Sequence, residues 1–119
     1  MDASQIDKWV AAHGMWKARL NTAIENGKLD VPAATVRLDN YCDFGKWLYG
    51  ASIPDGQKQT EHYTKVKALH ADFHKAAAAV AALAEAGKPV EARNRMGGEF
   101  AKVSSQLTLA MTAWKKSLS

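Results

Sequence analysis

The chain has 119 residues, of which 47% are hydrophobic and 24% charged, and its formal net charge is +4. This length and composition are those of one ordinary globular domain, 1–119, and they exclude disordered and fibrous classes. The basic residues are scattered among acidic ones, which argues against nucleic-acid binding, and no apolar run is long enough to cross a bilayer.

The first two predicted helices occupy the N-terminal part of the chain. In the first, apolar residues recur every three or four positions until Asn26-Gly27, a pair that typically ends a helix. The second runs from about Pro32, a residue favoured in a first helical turn, to Gly50. The face that this second helix is expected to bury carries Leu38, Cys42, Gly45 and Tyr49.

Two further helices are predicted after the turn sequence IPDG at 53–56. The third runs from about Gln57 to Ala86, and the fourth begins at about Val90. The fourth contains MGGEF at 96–100, whose two glycines indicate a kink, a close helix crossing or a later helix start. Because no segment has a strand pattern, the predicted fold is all-α: an antiparallel up-down four-helix bundle, with room for an extra short helix.

Residues that can bind metal fall on the predicted buried faces. His13 and His70 lie within apolar stripes, His74 follows His70 by one turn, and Cys42 is the only cysteine. A buried imidazole is costly unless both nitrogens find partners, and a shared metal ion would satisfy all four side chains. Hydrogen-bonded core histidines and a small buried thiol are the alternative. His62 lies about 12 Å along the helix from His70, too far to join the same ion.

Three segments resemble, in order and spacing, the chemoreceptor zinc-binding domain family, also called the CZB family. They are HGMWKARL at 13–20, CDFGKWLYG at 42–50 and HADFH at 70–74. The resemblance implies a Zn²⁺ site made by His13, Cys42, His70 and His74. It also implies a bacterial cytoplasmic homodimer that responds to zinc or to oxidants such as hypochlorous acid. The expected output is an attached or partner chemoreceptor or diguanylate cyclase.

Zinc chemistry favours a regulatory over a catalytic site. Three imidazoles and one thiolate fill the tetrahedral shell of zinc and leave no position for the water that catalytic zinc requires. No Glu adjoins a candidate ligand histidine in the sequence, so we expect no enzymatic activity. A constitutive zinc-stabilised helical dimerisation module is the main alternative function, and a metal-free helical interaction domain is a third.

Residues near the candidate ligands also have expected roles. Gly45 leaves space one turn from Cys42, and Trp16 and Trp47 are candidates for shielding the site from water, although ordinary core packing explains them equally well. Asp43 is expected to face solvent. A lone thiol favours a reducing, cytoplasmic setting, and zinc would keep Cys42 ionised and therefore the expected target of oxidants.

Overall fold

A computed structural model of the chain describes residues 3–27, 43–51 and 53–118, and its regular elements within these ranges are all helical. The helices in chain order are α1 (Ala3–Gly14), α2 (Trp16–Asn26), α3 (Asp43–Tyr49), α4 (Asp55–Lys58), α5 (Glu61–Glu85), α6 (Pro89–Arg95) and α7 (Ala101–Ser117), with a π-helical segment (Met96–Phe100) between the last two. The all-α prediction is confirmed. None of the helices in the described ranges has the length and apolar character needed to cross a bilayer.

The first predicted helix is divided in two, which corrects the expectation of one continuous helix. The break lies at Met15, directly after Gly14, which is a poor residue for a helix interior. The amide of Arg19 donates to the carbonyl of Met15 at 3.1 Å, so hydrogen bonding resumes at once. Residues on both sides of the break remain buried, and the apolar face therefore continues across it. At the predicted end, Gly27 has φ 78°, which favours glycine.

Helix α5 begins later than predicted, at Glu61 rather than Gln57. The hydroxyl of Thr60 accepts a hydrogen bond from the amide of Tyr63 at 3.2 Å, which caps the new start. Asp55–Lys58 form the separate helix α4, two residues before this start, so the extra short helix that the prediction allowed is present. Gly87, with φ 73°, follows the end of α5, and Pro89 opens α6.

The glycines of MGGEF do not start a new helix. They lie in the π-helical segment, which joins α6 to α7 without a loop. Such segments are rare and insert one wider turn into an otherwise α-helical run. The fourth predicted helix is therefore one uninterrupted helical stretch with a local change of winding.

Helix α5 lies at the centre of the packing, where it contacts α2, α6, the π-helical segment and α7. Its C-terminal half buries alanines, which let the neighbouring helices approach closely. Helix α1 packs against α7 and α2. The end of α1 lies beside the middle of α5, where the ring centroid of His13 is 5.1 Å from that of His70.

The second predicted helix can be compared with the structure only over 43–49, which form α3. Phe44, Gly45 and Leu48 are buried there, whereas Tyr49 is 39% exposed. Tyr49 was therefore wrongly placed on the buried face, because α3 turns its Phe44–Leu48 side toward the core. Leu38 lies outside the described residues, and the antiparallel up-down order of four helices stays a prediction.

Candidate metal centre

Three histidines from two helices meet in the core. His13 comes from the last turn of α1, while His70 and His74 lie one turn apart on α5. All three are buried, with 7%, 0% and 2% of their surface exposed, and one ring nitrogen of each lies within 4.8 Å of the others. The structure thus brings together three of the four residues proposed as ligands. Their role as ligands stays a prediction.

Cys42, the fourth proposed ligand and the proposed oxidant target, lies outside the described residues. Its nearest described side chain in the sequence is that of Phe44, near the start of α3. The Phe44 ring centroid is 4.9 Å from that of His13 and 4.7 Å from that of His70. The side chain of Asp43 is also outside the described residues, so its expected exposure to solvent stays a prediction. The start of α3 therefore lies against the histidine cluster.

The hydrogen bond of His13 determines which of its nitrogens can bind a metal. Its Nδ1 lies 2.9 Å from the carbonyl oxygen of Trp9. A carbonyl can only accept, so Nδ1 carries the proton and donates, and Nε2 is left with a free lone pair. That Nε2 is buried and has no hydrogen-bond partner within the described parts of the chain. An orphaned buried acceptor of this kind fits a metal ligand.

The two histidines of α5 have the separation that a shared ion requires. Their Nε2 atoms lie 3.0 Å apart. Zinc–nitrogen bonds of 2.0–2.1 Å at tetrahedral angles separate two ligand nitrogens by about 3.3 Å, so only a small adjustment of the rings is needed. Together with the free Nε2 of His13, this arrangement fits a zinc ion.

The cluster favours uncharged imidazoles. The pKa of His13 is lowered to about 4, chiefly by burial. The hydrogen bond to the Trp9 carbonyl raises this pKa in part, and the nearby His74 lowers it further. Burial also lowers the pKa of His70 to about 2, with further lowering by His74 and His13. At neutral pH these two rings are uncharged, and the neutral form is the one that binds metal. The group of potential metal ligands found in the described residues contains no carboxylate.

Aromatic side chains enclose the three histidines. Phe44 and Phe73 meet His13 edge to face, with centroid distances of 4.9 and 5.1 Å. Trp16 is 8% exposed and lies 6.0 Å from His74, while the guanidinium of Arg19 stacks on its ring at 4.0 Å. Trp16 and the two phenylalanines thus form an apolar wall on this side of the imidazoles, while the role of Trp16 in shielding a metal stays a prediction.

Trp47 packs around Phe44, and its expected role in shielding the site stays a prediction. Its ring contacts Phe44 at 5.6 Å, Trp9 at 6.0 Å and Trp114 at 5.9 Å, and it is only partly buried. Gly45 is buried in α3. Because Cys42 lies outside the described residues, the expected space that Gly45 leaves beside it stays a prediction. Trp47 thus packs behind Phe44 and supports the wall indirectly.

Sequence reasoning missed Phe44, Phe73 and the carbonyl of Trp9. Phe44 and Phe73 stand next to predicted site residues in the motifs CDFG and HADFH, which was an available signal. Trp9 precedes His13 by four residues, the spacing at which a side chain can reach a helix carbonyl. His62 lies outside the cluster and is partly buried near the start of α5.

Comparison with known protein families gives one finding. The family model described as the chemoreceptor zinc-binding domain matches residues 13–81, which is more than half of the chain and includes all three clustered histidines. Neither the curated proteins nor the solved structures compared with the chain gave a match.

Proposed function

The chain belongs to the chemoreceptor zinc-binding domain family, and on that premise we propose that it is a bacterial sensor domain whose zinc is held by His13, Cys42, His70 and His74. The observation that carries the proposal is the orphaned Nε2 of His13, which lies beside the two Nε2 atoms of α5. A buried acceptor without a donor is costly, and a metal ion removes that cost.

The proposed ligands would connect distant parts of the chain. His13 belongs to α1, His70 and His74 belong to α5, and Cys42 adjoins α3 in the sequence. When bound, zinc supplies a positive charge that keeps the Cys42 thiol ionised, and it ties these segments together. In the up-down four-helix arrangement that we propose, occupancy of the site would therefore control how the three ligand-carrying helices of that bundle pack.

The proposed response to oxidants depends on Cys42. The thiolate attacks the chlorine of hypochlorous acid, which forms a sulfenyl chloride and releases hydroxide, and water then replaces chloride to give a sulfenic acid. A sulfenic acid is a poorer metal ligand than a thiolate, so the segments carrying His13 and the α5 pair would no longer be held together. The resulting change in helix packing is the signal in this proposal.

We also propose a non-catalytic, cytoplasmic homodimer that acts on a chemoreceptor or a diguanylate cyclase. Four protein ligands leave zinc no open position for substrate or water, which supports a non-catalytic role. A thiolate that must stay reduced until an oxidant arrives supports a cytoplasmic setting. The family description names chemoreceptors, which supports the first of the two outputs. Sedimentation velocity on the zinc-loaded and oxidised protein tests the dimer; a monomer in both states would contradict it.

The sensor function is tested by treating zinc-loaded protein with increasing hypochlorite. Peptide mass spectrometry reports oxidation of Cys42, and a chromogenic chelator reports released zinc. Met15, which is 67% exposed, serves as an internal measure of the oxidant dose. We expect Cys42 oxidation and zinc release at doses that leave most of Met15 intact, and no zinc release from Cys42→Ser at the same doses.

The opposite result would favour the alternative function. If Met15 is oxidised while Cys42 stays unmodified and zinc stays bound, the domain does not sense oxidants. Failure of zinc to exchange with a chelator in the same protein would then indicate a constitutive zinc-stabilised dimerisation module.

A further inference from the structure

A cleft of about 460 Å³ opens beside the histidine cluster, between α2 and the stretch formed by α6, the π-helical segment and the start of α7. This volume is within the range of small-molecule sites in proteins. His13 and Gly14, at the end of α1, contribute to its lining. The cleft thus shares His13 with the cluster, but most of its lining comes from residues that the zinc proposal does not use.

The charged residues among the described lining of the cleft are both cations. Lys17 projects from α2 and Arg93 from α6, and none of the described lining residues is acidic. Among the residues that the structure describes, neither of the two forms an ion pair with a carboxylate. Cations on two sides of a cleft whose described lining holds no anion favour an anionic occupant. Arg93 can also hold a carboxylate or phosphate through two parallel hydrogen bonds.

The other lining residues indicate more than a simple anion. Met96 and Phe100 are 7% and 4% exposed, and they give the cleft an apolar surface. Asn21, Ser104 and Ser105 add groups that can donate or accept hydrogen bonds. Apolar walls with a few convergent polar groups are the usual composition of a ligand site. The lining therefore favours an occupant with an anionic head and an apolar body.

The π-helical segment contributes to the open space of the cleft. It supplies Met96, Gly97 and Phe100 to the lining, and π-helical turns occur frequently at functional sites. A Cβ atom built on Gly97 would meet no other atom within 4 Å. The glycine thus leaves room that a larger residue would occupy, at a position where glycine lowers helix stability.

We propose that this cleft binds a small organic carboxylate with an aromatic or aliphatic body. Lys17 and Arg93 hold the carboxylate, and Met96 and Phe100 contact the apolar body. Since His13 lies in the same cleft, the occupant sits against a proposed metal ligand, and the domain would receive a chemical signal other than zinc or an oxidant. Binding itself depends on the two cations and not on the metal.

The test is a titration of the metal-free and the zinc-loaded protein with benzoate, followed by amide chemical shifts in two-dimensional NMR spectra. Benzamide serves as an uncharged compound of the same shape, and inorganic phosphate as an anion without an apolar body. We expect saturable shifts at Arg93 and Gly97 with benzoate in both metal states, with clearly weaker effects of the other two compounds. An exposed charge pair contributes up to about fivefold in affinity, so Lys17→Gln and Arg93→Gln should each weaken binding by about that factor.

Paired substitutions inside and outside the cleft test whether the carboxylate binds in it. Arg95→Gln removes the same charge two residues away, in a residue that lines a different surface depression, and should change affinity less than about twofold. Gly97→Leu should fill the cleft and abolish binding, while Gly98→Leu, outside the lining, should preserve it. Circular dichroism melting of the two leucine variants verifies that both are folded.

Four results would overturn the proposal. If benzamide has the same affinity as benzoate, the cations have no role in binding. If phosphate has the same affinity as benzoate, the apolar surface has none. Equal effects of the Arg93 and Arg95 variants would indicate nonspecific charge attraction. Binding only in the zinc-loaded protein would mean that the carboxylate binds the metal and not the cleft. Because the metal-free titration does not depend on zinc, failure of this proposal is distinguishable from failure of the proposed zinc site.

Discussion

The two halves of α5, 61–74 and 76–84, bury side chains of different chemistry. The half that contains His70 and His74 places polar imidazoles in the core, beside His13. The half from Ala76 to Ala84 buries small apolar side chains. Stabilisation by apolar burial depends on neither metal nor protonation, whereas buried imidazoles cost free energy unless their nitrogens have partners. The comparison predicts that the stability of the histidine half depends on metal and pH, whereas that of the alanine half does not.

Zinc should produce the largest difference between the two halves. A ligand that binds only the folded state adds about 4 kcal/mol to the free energy of unfolding at 1,000 times its dissociation constant. We expect this gain in wild type and its loss in His74→Ala, measured by urea unfolding with and without zinc. His62→Ala is the matched control, since His62 lies on the same helix outside the cluster and should leave the gain intact. An equal gain in His74→Ala would contradict the assignment.

Acid should have the next largest effect on the free energy of unfolding, and this effect should come from the histidine half of α5 and the adjoining His13. The folded-state pKa values of His13 and His70 are lowered to about 4 and about 2, from 6.5. The unfolded chain therefore binds more protons below pH 6.5, and stability that is complete above that pH falls as the pH decreases. Each group can contribute up to about 1.4 kcal/mol per pH unit.

The pH prediction is checked by urea unfolding of metal-free protein between pH 7 and pH 5, above the range where most carboxylates titrate. His74 faces both rings and is part of the same coupled cluster. His13→Leu should show a smaller slope than wild type, because one proton-binding group is removed. A flat profile in wild type would mean that the imidazoles are already accessible to protons in the folded state.

Larger side chains in the alanine half should lower the free energy of unfolding by an amount that zinc does not change. Ala81 is fully buried, whereas the neighbouring Ala82 is exposed. Ala81→Leu adds volume to a close-packed contact and should cost about 1–3 kcal/mol in both zinc-free and zinc-loaded protein. Ala82→Leu should stay within about 0.5 kcal/mol of wild type. Equal effects of the two variants in urea unfolding would show that this half is loosely packed.

The smallest predicted effect lies outside both halves, at Gly98 in the π-helical segment. A Cβ atom there would meet no other atom within 4 Å, and alanine is a better helix former than glycine. Gly98→Ala should therefore raise the free energy of unfolding by about 0.5–1 kcal/mol, without changing zinc affinity. A loss of stability in thermal unfolding would indicate that the wider winding of this segment requires glycine.

Much of the site could be predicted because helical periodicity identifies the buried face of each helix, and a polar residue on that face is a candidate for function. His13 and His70 occupy stripe positions, His74 follows His70 by one turn, and all three are buried. The break at Met15 escaped prediction because the stripe continues across it in register. Tyr49 was misplaced because only about two turns of α3 follow Cys42, too few to distinguish adjacent faces by spacing alone.

The cleft could not have been predicted, because it depends on tertiary packing. Lys17 and Arg93 are far apart in the sequence, and each lies on a helix where an exposed cation is unremarkable by itself. Only the packing of α2 beside α6 brings them to one cavity. The sequence did indicate an irregularity at MGGEF, but left its form open among several choices that did not include a π-helical turn.

The ligand set is the central claim, and X-ray absorption spectroscopy of the zinc-loaded protein tests it most directly. Coordination by His13, His70, His74 and Cys42 predicts three nitrogen scatterers at about 2.0–2.1 Å and one sulfur at about 2.3 Å. The sulfur contribution should disappear in Cys42→Ser. A wild-type spectrum without sulfur, or with fewer than three nitrogens, would contradict the proposed zinc site.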